Sequence, residues 1–258
     1  MSPLSPITTS NELETVKEIV QAYHQIFKIW TTQYQSLEPI QSITSTVPTD
    51  NDNDSPTTHT LHRAPHSAST NLRSIGATAV PLDTSPQVTQ AYLNRDNCDF
   101  ALDTFLCPLR EKLQSIGARV NSLLVTPFPL LRLHFSGEAI SYSPHSVFGI
   151  TDRLSEQYIA DFTIEQYGFE GSAHWFMKEE EYLEVFTEDG RWRIAEDEDV
   201  EDGGLHRAEG LERWKGVIRR VCCGLDWGRI EGLEGEERWG FVGEEVRRAF
   251  DEVVMGDS

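Results

Sequence analysis

Three observations predict an α+β fold for this 258-residue chain. Apolar residues recur at helical spacing near both ends, short strand-like runs fill the middle, and Gly, Pro and Asp punctuate those runs. A chain of this length suits one core with additions, since domains commonly hold about 100–200 residues.

The elements follow in order. Residues 9–37 set Val16, Ile19, Val20, Tyr23, Ile26, Phe27, Trp30 and Tyr34 on one face, and Thr9-Ser10-Asn11-Glu12 has capping-box form, so an amphipathic helix is expected. From 38 to 85 the chain turns to Ser, Thr, Pro, Asn, Asp and His, with almost no large apolar residue before Leu72. That composition predicts a disordered linker. Within it, Asp50-Asn51-Asp52-Asn53-Asp54 lacks the spaced glycine and closing Glu of a calcium loop and reads as solvated chain.

The compact domain is expected over 86–258. Cys98, Ala101, Leu102, Phe105 and Leu106 form an inward helical stripe. Pro108 interrupts it and predicts a kink, or a second short helix from Pro108 to Ile116 ended by Gly117. Strands are expected at 118–125, 130–135, 145–151 and 157–163. If the turn between the last two centres on Arg153, positions summing to about 306 face each other across the ladder. His145 and Asp161 are such a pair. The acidic runs Glu179-Glu180-Glu181 and Glu196-Asp197-Glu198-Asp199 read as solvated loop around a strand at 191–194. Two helices close the chain, one with Leu211, Trp214, Ile218, Val221 and Cys222 inward, the other with Phe241, Val242, Val246, Phe250 and Val253 inward.

Composition limits the partners. A formal charge of −20 and a pI near 4.7 argue against an extended basic footprint for DNA or an anionic membrane. Residues 1–10 lack a basic start and an apolar stretch, and no window approaches the ~18 apolar residues of a membrane helix. A soluble, cytoplasmic protein is therefore expected, and the adjacent Cys222 and Cys223 suit reduced thiols. Cys107, Cys222, Cys223, His174 and His206 lack zinc spacing, so no metal or cofactor is expected.

Cys98, His145 and Asp161 stand in the order that a cysteine-based acyl-transfer site needs. A helix start and a neighbouring imidazole favour the thiolate, and a carboxylate fixes the imidazole tautomer. Taken singly, each has a plainer reading: a small buried hydrophobe, a strand-start surface residue, a turn former. Their conjunction carries more. The run Cys98-Asp99-Phe100-Ala101, then Ile116-Gly117-Ala118-Arg119-Val120, then His145, then Asp161-Phe162-Thr163, resembles the transglutaminase-like branch of the papain-type cysteine superfamily over about 97–169. The resemblance implies a helix packed on an antiparallel sheet, with Cys98 as nucleophile, His145 as base and Asp161 as orienting carboxylate. Three positions depart from the family pattern: Asp96 where Gly is common, Ser146-Val147 after the histidine, and Pro108 in the helix. The oxyanion would be held by the Cys98 N–H and a second donor such as Asn97 or Gln90.

A second resemblance rests on Asp152-Arg153-Leu154, 161–169 and Trp175-Phe176-Met177. These stretches look like small acidic proteins of fungal biosynthetic gene clusters, the arginine-containing cyclodipeptide synthases. That family implies amide formation from arginyl-tRNA and a second amino acid, with Glu165 or Asp152 on the guanidinium. A tRNA could meet Arg207, Arg213, Lys215, Arg219 and Arg220 on the penultimate helix, with Arg247-Arg248 on the last. Two alternatives stay open: a transglutaminase-like amidase or transamidase acting on peptide acyl groups, and an inactive interaction module.

Overall fold

The computed structural model describes residues 9–47, 55–63, 74–138, 144–195 and 209–255, and within these the chain is α+β. The first helix, α1 (Thr9–Gln33), buries the face that its periodicity marks, from Val16 through Trp30. It does not stand outside the domain as an addition. Its side chains share one core with Phe100, Phe105 and Leu109 of α3 (Cys98–Gln114) and with Val242, Val246 and Phe250 of α8 (Gly235–Met255). Two polar ties fix it there: the Tyr23 hydroxyl donates to the Pro108 carbonyl at 3.2 Å, and Gln25 Nε2 to the Trp239 carbonyl at 2.7 Å.

The expected linker is corrected in its described parts. Strands β1 (Ser36–Leu37), β2 (Ile40–Thr46), β3 (Thr57–Arg63) and β4 (Ser74–Ile75) lie within 36–75, and a 3₁₀ turn spans Gly76–Ala79. β2 pairs antiparallel with β3, which runs parallel to β6 (Leu131–Phe135). The composition misleads because Thr, Ser and His replace apolar residues along the ladder. Thr44 meets His62 at 3.1 Å, Ser45 meets His59 at 2.8 Å and Thr60 meets His134 at 2.9 Å, while Ile40 and Leu61 supply a small core with Phe135. β-branched Thr suits a pleated strand even though its hydroxyl makes the segment read as polar. The acidic run 50–54 lies outside the described residues.

The main sheet has the order β10-β5-β7-β8-β9, antiparallel throughout. Its strands are β5 (Arg119–Pro127), β7 (His145–Thr151), β8 (Gln157–Ala160), β9 (Phe176–Lys178) and β10 (Thr187–Ile194). Alternation divides it cleanly. Val120, Phe148, Ile150, Tyr158 and Ala160 face α3, whereas Leu123, Val125, Val147 and Ile159 face Tyr182 and Phe186 of α5 (Glu179–Phe186), which follows the short α4 (Gly171–His174). Glu179-Glu180-Glu181, expected in a loop, is the first turn of α5, where carboxylates offset the partial positive charge of the helix start. Glu196–Asp199 falls outside the described residues.

Pro108 sits inside α3 without dividing it. The lost backbone bond costs about 3 kcal/mol, and the burial of Phe105, Leu109 and Leu113 on either side outweighs it. The closing helices α6 (Glu209–Gly224), α7 (Trp227–Gly232) and α8 complete the core through Val217, Ile218, Cys222 and Ile230. Among the described residues no helix is long and apolar enough to cross a membrane.

Candidate functional site

The site assembles where α2 (Pro86–Asn94) gives way to α3. Arg95 N–H bonds the Tyr92 carbonyl, Asn97 N–H bonds the Asn94 carbonyl, and Asp96 takes φ +57°. That is the left-handed region glycine prefers and Asp tolerates better than most residues. The departure at Asp96 thus keeps the backbone conformation that a glycine would supply. Asn97's carbonyl accepts from Ala101 N–H at 2.8 Å, so Cys98 opens the helix. Its own N–H belongs to the first turn, which has no acceptor within the helix.

Across from it, His145 begins β7 and is fully buried. Its Nε2 lies 2.8 Å from Asp161 Oδ2, just beyond the end of β8. The register differs from expectation, because Phe148 pairs with Ala160 and Thr151 with Gln157. The sum of paired positions is 308 (148 + 160), not 306. Asp152 causes the shift by lengthening the turn: its Oδ1 accepts from Leu154 N–H at 2.8 Å and Glu156 N–H at 2.9 Å, and Ser155 has φ +70°. A slip of two positions preserves the face. His145 and Asp161 meet diagonally, not directly opposite.

Asp161 is held from several directions. Its Oδ1 accepts from Thr163 N–H at 2.9 Å and from the Thr163 hydroxyl at 3.3 Å, which is the physical content of the Asp-x-Thr spacing. The Tyr182 hydroxyl donates to Oδ2 at 2.7 Å. On the other ring nitrogen of His145, Gln166 Nε2 lies 3.2 Å from Nδ1, and the Tyr167 ring stands edge-on at 4.9 Å. The sequence does not single out Tyr182, Gln166 or Tyr167. Gln166 stands three residues after Thr163, whose hydroxyl it also reaches at 3.1 Å, so the Asp-x-Thr-x-x-Gln spacing is a usable signal. Tyr182 comes from α5, and no spacing points to it.

Burial alone would lower the His145 pKa, but the charge and hydrogen bond of Asp161, followed by those of the nearby Cys98, raise it to about 10. The folded value lies above the ordinary one of 6.5, so the stabilisation is fully present below about pH 6.5 and lost as pH rises through about 10. Urea midpoints taken between about pH 6 and 10 are expected to fall in the native protein and to fall less in Asp161→Asn.

The other expected site residues are placed differently. Asn97 is buried and engaged: its Nδ2 donates to the Leu93 carbonyl at 2.8 Å, and its Oδ1 accepts from Gln35 Nε2 at 3.2 Å. It is a tie between α2, α3 and the end of α1. Gln90 accepts from Lys28 at 3.1 Å. Glu165 is closed by an ion pair with Lys28 and a 2.9 Å bond from Asn94. Asp152 caps the turn at the far end of β7, about 20 Å from His145 at 3.3 Å per strand residue. Both carboxylates already have partners within the fold. Much of the expected basic surface is likewise engaged: Lys215 and Arg219 pair with Asp103 and Arg213 bonds the Val253 carbonyl, while on the last helix Arg248 pairs with Glu245. Arg207 lies outside the described residues. Among the described residues no group of three His, Cys, Asp or Glu converges as a metal site.

No protein-family model, curated protein or solved structure matches the chain significantly.

Proposed function

We propose that Cys98, His145 and Asp161 form a cysteine acyltransferase centre of the transglutaminase-like, papain-type kind. The observation that carries this reading is the fully buried His145–Asp161 hydrogen bond beside a cysteine at a helix start. His145, with its raised pKa, holds the Cys98 proton as an imidazolium; the thiolate attacks the acyl carbonyl, and the imidazolium gives its proton to the leaving group as that bond breaks and the thioester forms. An amine then attacks the thioester, the neutral His145 takes the amine's proton, and the Cys98 thiolate leaves as the amide forms. Asp161, held by Thr163 and Tyr182, keeps the imidazole oriented through both steps. The Cys98 N–H supplies one oxyanion donor.

The finer reading, amide formation from arginyl-tRNA in the manner of the arginine-containing cyclodipeptide synthases, rests on the sequence resemblance. Four free thiols suit a reducing, cytoplasmic setting. The protein incubated with amino acids, ATP, tRNA and arginyl-tRNA synthetase is expected to yield arginine-containing cyclic dipeptides. Absence of product, or product that survives ribonuclease treatment, overturns the tRNA-dependent reading.

A further inference from the structure

Acyl transfer at Cys98 places negative charge on the carbonyl oxygen, and preorganised donors aimed at that oxygen are what such a site needs most. The Cys98 N–H is one donor. The side chains nearest to hand for a second are already committed: Asn97 Nδ2 donates to the Leu93 carbonyl, Gln90 is tied to Lys28, and Gln166 Nε2 is divided between the Thr163 hydroxyl and His145 Nδ1. Tyr167 is not. It closes the 3₁₀ turn Ile164–Tyr167, and its ring stands edge-on to His145 with centroids 4.9 Å apart and planes at 80°. The backbone there is braced from two sides, since the Tyr167 carbonyl accepts from Leu130 N–H at 2.9 Å and the next carbonyl, of Gly168, accepts from Gln87 Nε2 of α2 at 2.6 Å. The ring is therefore held in place. Its hydroxyl makes no hydrogen bond among the described residues, whereas the neighbouring Tyr182 phenol donates to Asp161 Oδ2 at 2.7 Å. Withdrawing a hydroxyl from water without giving it a partner costs free energy, which an acyl oxygen of the substrate would return. The charges around the phenol show where it stands. Burial raises its pKa most, and of the charges that raise it further Cys98 comes first, ahead of Asp161, Asp96 and Asp99. The group is thus close to the thiolate and remains a protonated donor at neutral pH.

We propose that the Tyr167 hydroxyl is a catalytic residue, the second donor of an oxyanion hole whose first donor is the Cys98 N–H. This rests on the acyltransferase reading and adds to it the group that separates acyl transfer from other reactions of the same thiol. The ring contact with His145 gives the phenol a second use: it fixes the donor relative to the imidazole, so that the oxyanion and the proton carrier keep their spacing.

The test compares two reactions of the Cys98 thiolate, each mapped to its peptide by mass spectrometry. In acetylation by p-nitrophenyl acetate the sulfur bonds to the carbonyl carbon, the carbonyl oxygen carries the charge of the tetrahedral intermediate, and the ester bond breaks to release p-nitrophenolate. In alkylation by iodoacetamide the sulfur bonds to the methylene carbon and iodide leaves, so no oxyanion forms. Tyr167→Phe keeps the ring against His145 and removes only the donor. It is expected to slow acetylation at least about tenfold and to leave alkylation within about twofold, since one oxyanion donor is commonly worth about 10²–10³ in rate and an activated ester needs it less. A second arm uses the native protein and stands whether or not the variant folds. Cys98 should prefer p-nitrophenyl acetate over its thiono analogue, whose sulfur is a weak acceptor, by a larger factor than free N-acetylcysteine does. Acetylation of Tyr167→Phe at the native rate overturns the assignment, and so does a preference no larger than that of the free thiol. Acetylation and alkylation slowed together also overturn it, because the hydroxyl would then act on the thiolate and not on the acyl oxygen. If native Cys98 reacts with both reagents no faster than exposed Cys223, the nucleophile reading fails and the assignment falls with it.

Discussion

Cys98→Ala is expected to abolish product formation, by at least about 10³-fold, while leaving thermal melting nearly unchanged. The loss follows because no other group in the site forms the thioester. The small stability effect follows from position: Cys98 is half-buried at the helix start, so its removal leaves little void. His145→Ala is the poorer probe, because it strands Asp161 as a buried carboxylate at a cost of about 3–5 kcal/mol. Product formation and a melting curve, measured together on the Cys98 variant, separate chemistry from folding. Residual turnover near the native rate would remove Cys98 from the mechanism.

The largest expected stability effect lies far from the thiol in sequence. Trp30→Ala is expected to destabilise the protein by about 3–5 kcal/mol in urea denaturation. Trp30 is fully buried and stacks on Phe100 of α3 with ring centroids 4.4 Å apart. Were α1 a separate helix joined by a linker, the same change would cost a small fraction of this. Trp30→Phe is expected to cost much less than the alanine variant, because the indole Nε1 is buried with no partner among the described residues and its loss strands nothing. Since Phe100 packs two residues after Cys98, α1 also braces the helix that Cys98 opens.

What the sequence makes legible is local. The stripe from Val16 to Trp30 marks a helix, but its partners Pro108 and Trp239 lie 85 and 214 residues from the α1 residues they bond, beyond any periodicity. The shared face of His145 and Asp161 is readable because side chains alternate with period two. The register is not, because it depends on Asp152 capping two backbone N–H groups in the turn. Resemblance alone assigns that same residue, and Glu165, to substrate. The strands at 40–46 and 57–63 are hidden because hydroxyl–imidazole pairs take the place of apolar ones. Tyr182 and Gln166 become visible only once α5 and the segment after β8 have folded against the histidine.

The most direct test of Cys98 activation is the alkylation rate of each cysteine by iodoacetamide at neutral pH, mapped to peptides by mass spectrometry. Cys98 is expected to react at least about tenfold faster than the exposed Cys107 and Cys223, with Cys222, whose thiol burial pushes well above its ordinary pKa, slowest of all. Asp161→Asn should slow Cys98 and leave the other three unchanged. A Cys98 that reacts no faster than Cys107 and Cys223 would contradict the claim that His145 and Asp161 activate it.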